Sequence, residues 1–342
     1  MSTSPRGHGR PNPTLEQVAR LAGVSIATAS RVVTGAVPVS ADRRARVERA
    51  IAELSYVPDE RARDLRRATT RTVGIVVPSL ESPLYGEVFR LVHRALQRGG
   101  STVLVFESDD DRDAERAAVE VLVRSHARAV VVAAADGLAP DAMQLLRRRD
   151  IRVVFFGDRP PDPRQACVCV DDHGGSRLLT EHLIALGHRR IALLCALDGS
   201  TGLDRRDGHL AALADAGIAA DPELLVTDGW APVCGQAGAA RLLDLPDPPT
   251  AILAAHPMLA AGALLAVRDR GLRIPDDVSL ASFFESDHIR YVTPAITCLT
   301  DVGESMAGAI VEALNRRVSG LIDVPLVASL RPSTGPPPAL SP

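Results

Sequence analysis

The sequence contains no lysine and few aromatic residues. All 39 basic residues among the 342 are arginine, and aromatic residues make up only 3% of the chain. No apolar run is long enough to span a bilayer, and the first residues, MSTSPRGHGRPNP, lack the apolar core of a secretory signal. These absences predict a cytoplasmic protein without a membrane partner.

Cysteine is also scarce, and its spacing excludes the common metal and redox motifs. The five cysteines show no C-x-x-C pair: Cys167, Cys169, Cys195, Cys234 and Cys298. We therefore expect free, buried thiols rather than a disulfide framework or a zinc site.

Charge is distributed unevenly along the chain. Residues 1–72 carry 13 Arg against 7 acidic residues, the remaining residues carry 26 Arg against 35, and the formal net charge is −3. A basic N-terminal segment on an acidic body indicates that only one end of the protein binds a polyanion. Arginine suits that role because its guanidinium can form two parallel hydrogen bonds with phosphate or guanine.

Three short helices are predicted near the N-terminus, after a tail (1–13) whose Pro, Gly, Ser and Arg content favours disorder. Thr14 and Gln17 have the spacing of a capping box at the start of the first helix. A second helix is predicted from about Ser25 to Val33, and a third begins after Ser40 as its cap. Two short helices joined by a tight turn indicate a helix-turn-helix.

In a helix-turn-helix, the second helix lies in the major groove of DNA. Arg31 could form two hydrogen bonds with guanine, whereas Ile26 could make only an apolar contact, for example with a thymine methyl group. Hydroxyl groups on this surface suit phosphate oxygens. The predicted DNA-binding residues of this segment are Thr14, Ser25, Ile26, Ala27, Thr28, Ser30, Arg31 and Ser40. The helices alone would also fit an ordinary three-helix interaction module.

From Thr72 onward, short apolar strands alternate with helical patterns. The predicted helices cover 84–99, 111–125, 174–187, 204–216, 232–243 and 257–271. The predicted strands are TVGIVV, STVLVF, RAVVVA, IRVVFF, RIALLC, TAILAA and VSLASFF. Continuously apolar strands separated by helices are typical of parallel sheets that are covered on both faces. About 260 residues exceed one doubly wound domain, so we predict two α/β lobes with a ligand cleft between them.

Several longer segments occur in a fixed order along the chain. Near the N-terminus they are PTLEQVARLAGVSIATASRVVTG, RARVERAIAELSYVP and ARDLR, and in the core they are GIVVPSLESPLYGEV, HLIALGHRRIALL, GLRIPDDVSLASF and RPSTGPP. Together these segments resemble the LacI/GalR (lactose/purine repressor) family of transcriptional regulators. The resemblance implies an all-α helix-turn-helix domain with a hinge helix, followed by a core of two doubly wound lobes like a periplasmic binding protein. It also implies a repressor that binds a pseudo-palindromic operator in double-stranded DNA as a homodimer, under the control of a small-molecule effector.

The resemblance predicts the domain boundaries. We expect a helix-turn-helix domain at 14–58, a hinge helix and linker at 59–71, an effector-binding and dimerisation core at 72–335 and a Pro-rich tail at 336–342. Within the core, lobe 1 is expected at about 72–170 and 298–320, and lobe 2 at about 171–297 and 321–335.

The hinge helix implied by the resemblance covers Asp59–Arg66. Ala62 and Leu65 match the family's paired small residue and intercalating leucine, and Arg61 is a further expected DNA contact. A leucine wedged between base pairs in the minor groove kinks the duplex. A helix this short is unstable alone, so we expect it to form only against DNA and a second protomer.

The same resemblance predicts an effector site between the lobes. Its expected residues are Leu84, Tyr85, Asp158, Arg205, Trp230, His256 and Phe284. His256-Pro257 stands where the family has Asn-Asp, Phe284 replaces the Asp of Gly-Phe-Asp, and His209 replaces a Phe. The resemblance implies a sugar-like or nucleoside-like effector, whose identity the sequence does not give. The family's acids commonly hold hydroxyls or ring nitrogens, so their replacement indicates either a less polar or bulkier effector or a cleft that no longer responds to a small molecule. Trp230 fits either a ligand-stacking ring or ordinary packing.

Enzymatic motifs are absent from the sequence. There is no nucleophile elbow, H-E-x-x-H or phosphate-binding glycine loop, and Asp171-Asp172-His173 and His188 remain isolated candidates. We therefore expect neither catalysis nor a cofactor or metal. An effector-independent or activating regulator is one alternative function, and a solute-binding protein is another.

Overall fold

A computed structural model describes most of the chain. The described residues are 13–34, 39–56, 70–134, 137–300, 302–316 and 318–338. The chain divides into two compact units, Met1–Thr70 and Arg71–Pro342. Among the helices of these described ranges, none combines the length and apolar character needed to cross a membrane.

The N-terminal unit contains a three-helix cluster. Its helices are α1 (Leu15–Ala22), α2 (Ile26–Thr34) and α3 (Ala41–Leu54). Small apolar side chains from all three helices form its core: Val18, Ala19, Ala22, Ala29, Val47 and Ala50. Their spacing at helical period explains why one face of each helix is buried.

The second unit begins with a six-stranded parallel sheet. Its strands are β1 (Thr72–Val77), β2 (Thr102–Glu107), β3 (Ala129–Val132), β4 (Arg152–Phe156), β5 (Ala166–Val170) and, much later in the chain, β11 (Leu321–Val324). The spatial order is β11-β5-β4-β3-β1-β2.

Helices cover both faces of this first sheet. They are α4 (Pro83–Arg98), α5 (Arg112–Arg124), α6 (Pro140–Arg148) and α12 (Val302–Asn315). α4 and α12 pack on one face, and α5 and α6 pack on the other. Alternate strand residues therefore enter two different apolar clusters, which accounts for the continuously apolar strands.

A second six-stranded sheet forms the other lobe. Its strands are β6 (Ile191–Leu194), β7 (Leu225–Val226), β8 (Ala251–Ala254), β9 (Ser279–Phe284), β10 (Thr297–Thr300) and β12 (Val327–Ser329). The order is β12-β10-β9-β8-β6-β7, and all pairs are parallel except β10 with β12.

The helices of the second lobe also lie on two faces. They are α7 (Asp172–Ala185), α8 (Gly199–Asp215), α9 (Pro232–Leu243), α10 (Pro257–Asp269) and the short α11 (Asp287–Arg290). α7 packs with α8, and α9 packs with α10. A 3-10 turn at Pro222–Leu224 precedes β7.

The strand order corrects the expected division of the core near its end. β10 begins at Thr297 and belongs to the second sheet, and β11 (Leu321–Val324) pairs with β5 in the first. The chain therefore changes lobes as many times as expected, but its last two changes come a few residues later, so 298–300 lie in the second lobe and 321–324 in the first. β11 and β12 are short and partly exposed, so the apolar pattern did not indicate which sheet they join.

The five cysteines are free, as expected from their spacing. Four are buried and Cys234 is half-buried. Burial raises the pKa of Cys195 to about 12 and that of Cys298 to about 11, so these thiols remain protonated at neutral pH.

Candidate DNA-binding surface and effector cleft

The first helix begins with the predicted capping box. The Gln17 amide donates to Thr14 Oγ1 at 3.3 Å, and the Thr14 amide donates to Gln17 Oε1 at 2.8 Å. Gly23 then adopts a left-handed conformation with φ of 62°, which permits the tight turn into α2. The local sequence therefore determines where α1 begins and ends.

α2 presents the surface predicted to read DNA. Ala29 is fully buried, whereas Ile26 is 51% exposed and Ala27 and Arg31 are exposed as well. Ser25 Oγ accepts a hydrogen bond from the Thr28 amide at 3.1 Å, so Ser25 caps the helix. DNA contact by this surface stays a prediction.

Three other residues predicted to contact DNA fit the prediction less fully, because two are only partly exposed and one lacks its capping bond. Thr28 and Ser30 are half-buried, and Ser40 lies at the N-cap of α3 without a side-chain capping bond. Ser40 therefore has the predicted position without the predicted capping bond. The hinge residues Arg61, Ala62 and Leu65 lie outside the described residues, so their predicted roles stay predictions.

Asp158 and Arg159 follow β4 of the first lobe and contact the start of α8 in the second. Asp158 Oδ1 accepts hydrogen bonds from the Thr201 amide at 2.8 Å and from Ser200 Oγ at 3.1 Å. The Arg159 amide donates to Ser200 Oγ at 2.9 Å, and its guanidinium pairs with Asp204 at 2.5 Å. Asp158, predicted to bind an effector, therefore joins the two lobes directly.

Arg205 is buried on α8, where a carboxylate, a backbone carbonyl and aromatic rings surround its guanidinium. Its Nε and Nη2 each lie 2.8 Å from Asp172 Oδ1, and its Nη1 donates to Ala255 O at 2.5 Å. The guanidinium carbon lies 3.8 Å from the ring centroid of Phe283 and 4.8 Å from that of Phe284. Burial raises the pKa of Asp172 to about 6, although Arg205 opposes the shift. Phe284 thus packs against a cation whose charge is balanced by Asp172.

Trp230 and His256 lie side by side in the second lobe. Their ring centroids are 5.7 Å apart, and Trp230 Nε1 donates to Asp198 Oδ1 at 2.7 Å. His256 Nδ1 accepts the Met258 amide at 3.2 Å at the start of α10. Burial, together with the charge of Arg205, lowers the pKa of His256 to about 3, so this ring is neutral at pH 7. The neutral His256 ring therefore accepts a hydrogen bond from the first turn of α10.

Leu84 and Tyr85 begin α4 in the first lobe, and both pack against its apolar core. The Tyr85 ring meets Phe156 edge to face at 5.6 Å. Burial, and then the charge of Asp158, raises the pKa of Tyr85, so the phenol keeps its proton. Tyr85 is therefore influenced by the charge of Asp158, and effector binding by either residue stays a prediction.

His188, an isolated candidate for catalysis, is part of a structural network. Its Nδ1 lies 2.8 Å from Thr250 Oγ1, and its Nε2 lies 3.1 Å from Ser279 Oγ and 2.9 Å from Gly335 O. Nε2 thus links the C-terminal segment to β9, and Nδ1 contacts the residue directly before β8. Asp172, another of these isolated candidates, pairs with Arg205.

Two parts of the chain match known families. Residues 14–59 match bacterial regulatory proteins of the lacI family, and residues 70–300 match the periplasmic binding proteins and sugar binding domain of the LacI family. The chain belongs to the lacI family.

Other lacI family members are similar over most of their length. The HTH-type transcriptional regulator GalR of Escherichia coli (strain K12) is 35% identical over 286 residues, which is 83% of each chain. The lac repressor dimer bound to operator and the anti-inducer ONPF has a TM-score of 0.83 and 26% identity, over 95% of this chain and 100% of that one. The complex of the regulator CelR with cellobiose has a TM-score of 0.70 and 29% identity, over 94% and 100%. The predicted family and fold class are confirmed.

Within this lacI family framework, sequence reasoning missed three residues that shape the cleft. Asp198 holds Trp230, and Arg159 pairs with Asp204 across the lobes. Asp198 directly precedes a helix, which is a recognisable capping position, but its use by a side chain 32 residues later is not visible in the sequence. Ion pairs between lobes likewise depend on tertiary structure.

Proposed function

We propose that this chain is a homodimeric repressor whose α2 reads the major groove of a pseudo-palindromic operator and whose two-lobed core responds to a small molecule. The exposed face of α2 carries this proposal. Ile26, Ala27 and Arg31 face outward from a helix whose Ala29 is buried, and 95% of the chain is similar to a repressor whose structure is bound to operator.

The basic charge of the N-terminal segment supports DNA binding by that end. Each phosphate neutralised by arginine releases counterions, so the logarithm of the binding constant falls by about 0.9 per contact with the logarithm of salt concentration. Footprinting on genomic fragments, followed by a salt titration on the protected site, tests the proposal. We expect protection of two half-sites and a steep salt dependence. Absence of sequence-specific protection at every salt concentration would contradict it.

Arg31→Ala tests the assignment of base reading to α2. We expect the variant to lose preference at one base pair in each half-site, by about 1–3 kcal/mol between the right and the wrong base, because a bidentate contact to guanine is removed. Competition binding with single-base operator variants measures this preference. Arg20→Ala is the control, because it removes the same charge from an exposed side chain of α1. It should leave base preference unchanged.

The cleft supports control by a small molecule. Asp158, Tyr85, Arg205 and Trp230 lie around the junction of the lobes, and the similar regulator CelR is described in complex with cellobiose. A thermal-shift screen of sugars and nucleosides, repeated with Trp230→Phe, tests this part. We expect a stabilising compound whose effect is reduced in the variant.

An effector-independent regulator is the second candidate, because His256-Pro257 and Phe284 stand where the family has acids. Both sites contact other parts of the protein: His256 accepts the Met258 amide, and Phe284 packs against the Arg205 guanidinium. Operator affinity measured with and without each stabilising compound distinguishes the two functions. An affinity that no compound changes would favour the second candidate.

A further inference from the structure

The helix α8 starts with an aspartate that does not cap it. Asp198 occupies the N-cap position with extended backbone angles (φ −82°, ψ 132°), yet its side chain makes no capping bond. Its carboxylate instead accepts the indole N–H of Trp230 at 2.7 Å. The residue best placed to cap this helix is thus used elsewhere.

The missing cap comes from the other lobe. Thr201 is the third residue of α8, and its amide is one that an N-cap side chain normally accepts. Here that amide donates to Asp158, which follows β4 of the first lobe. Arg159 adds a second cross-lobe tie to Asp204, in the second turn of the same helix.

Two carboxylates are therefore available for one helix terminus. The first N–H groups of a helix lack partners within the helix and favour negative charge. If the lobes separate, Thr201 loses Asp158, and Asp198 is the adjacent acceptor. In the orientation that accepts Trp230, Asp198 bonds no amide of α8, so capping requires its side chain to rotate toward the helix and to release Trp230.

Joining the lobes also brings like charges together. Burial, followed by the charges of Asp198 and Asp158, raises the pKa of Asp110 in the first lobe. Repulsion among these carboxylates opposes the joined arrangement, whereas the cap and the Arg159–Asp204 pair favour it. Opposing contributions of this kind allow two arrangements of similar free energy.

We propose that α8 exchanges its cap when the lobes move: Asp158 caps it in the joined arrangement while Asp198 holds Trp230, and Asp198 caps it in the separated arrangement while Trp230 is released. This inference rests on the proposed effector-responsive cleft and names its internal switch. A molecule that holds Trp230 against Asp198 would favour the joined lobes.

Trp230 is the only tryptophan of the chain, so its fluorescence reports the exchange directly. Asp158→Ala is expected to shift Trp230 emission to the red and to increase its quenching by acrylamide. Amide exchange at Thr201 should change little, because Asp198 takes over the cap. In Asp158→Ala/Asp198→Ala that exchange should accelerate about fivefold or more, as expected for loss of a helix cap.

Two results would overturn the exchange. One is unchanged Trp230 emission in Asp158→Ala, and the other is Thr201 exchange as fast in the single variant as in the double variant. Asp113→Ala, which removes an exposed acid from the same lobe, is the control and should match wild type in both measurements.

Arg159→Gln provides an independent test if Asp158→Ala fails to fold. It breaks the tie to Asp204 and leaves Asp158 in place, so a smaller red shift in the same direction is expected, and no shift would also overturn the proposal. All measurements use the full chain without DNA or effector. Their failure is therefore distinguishable from failure of operator binding.

Discussion

His209 couples the stability of the second lobe to pH. It is 3% exposed on α8, its Nδ1 lies 3.0 Å from Thr180 Oγ1, and burial lowers its pKa to about 4. The unfolded chain, with a histidine pKa near 6.5, then binds the proton more tightly than the folded protein. The resulting stability is complete above about pH 6.5 and is lost as the pH falls toward 4.

His209→Phe should flatten this pH dependence. The variant removes the titrating group and keeps a ring, and Thr180 Oγ1 retains its bond to Ser176 O at 2.8 Å. Between pH 7 and pH 5, we expect the wild-type free energy of unfolding to fall on the order of 1–2 kcal/mol more than that of the variant. Urea denaturation at both pH values measures the difference. His173→Gln, which removes an exposed histidine, should behave like wild type, and equal slopes in His209→Phe would contradict the assignment.

At the scale of elements, the strongest sequence patterns predicted the structure best. The run TVGIVV coincides with β1, and the helix predicted over 232–243 coincides with α9. In contrast, α8 was predicted from 204 and begins at Gly199. Its first turn contains two glycines, which are poor helix formers, and its cap comes from Asp158. A helix cap that comes from another lobe cannot be recognised in the sequence next to the helix.

The candidate site shows the same division between local and tertiary information. The family resemblance indicated Trp230 and Arg205 as cleft residues, and the structure places them close together, with the guanidinium 5.8 Å from the indole ring. The family resemblance did not indicate that the Asp172 carboxylate balances the charge of Arg205, because that ion pair joins α7 to α8. Pairings between elements depend on the folded chain.

The C-terminal segment beyond β12 is an integral part of the second lobe. Ser333 is fully buried, its Oγ accepts the Thr297 amide at 2.8 Å, and the same Oγ donates to Leu280 O at 2.6 Å. Ser333→Ala should lower the free energy of unfolding by about 1–3 kcal/mol, because a buried amide loses its acceptor. Chemical denaturation measures the loss. Ser319→Ala, an exposed serine, should stay within about 0.5 kcal/mol of wild type. An equally small effect at Ser333 would show that the segment contributes little.

At the scale of the whole molecule, charge and packing divide the chain at similar places. The basic excess ends near residue 72, and the compact units divide after Thr70. The second unit contains three apolar clusters, whose buried members all lie between Val73 and Val324. One of these clusters includes residues of both sheets, such as Val154 and Ala281. Because the lobes share apolar packing and the Asp158–Thr201 bond, we expect them to unfold as one cooperative unit.

A fragment comprising 71–342 should therefore fold without the helix-turn-helix unit. We expect one cooperative unfolding transition and the Trp230 emission of the full chain, because the clusters and the Asp198–Trp230 bond lie within the fragment. Operator binding should be lost, because the basic segment and α2 are removed. Circular dichroism, fluorescence and footprinting on the same preparation measure the three properties. A fragment that unfolds in two steps would contradict the shared core, and one that still protects the operator would contradict DNA reading by α2.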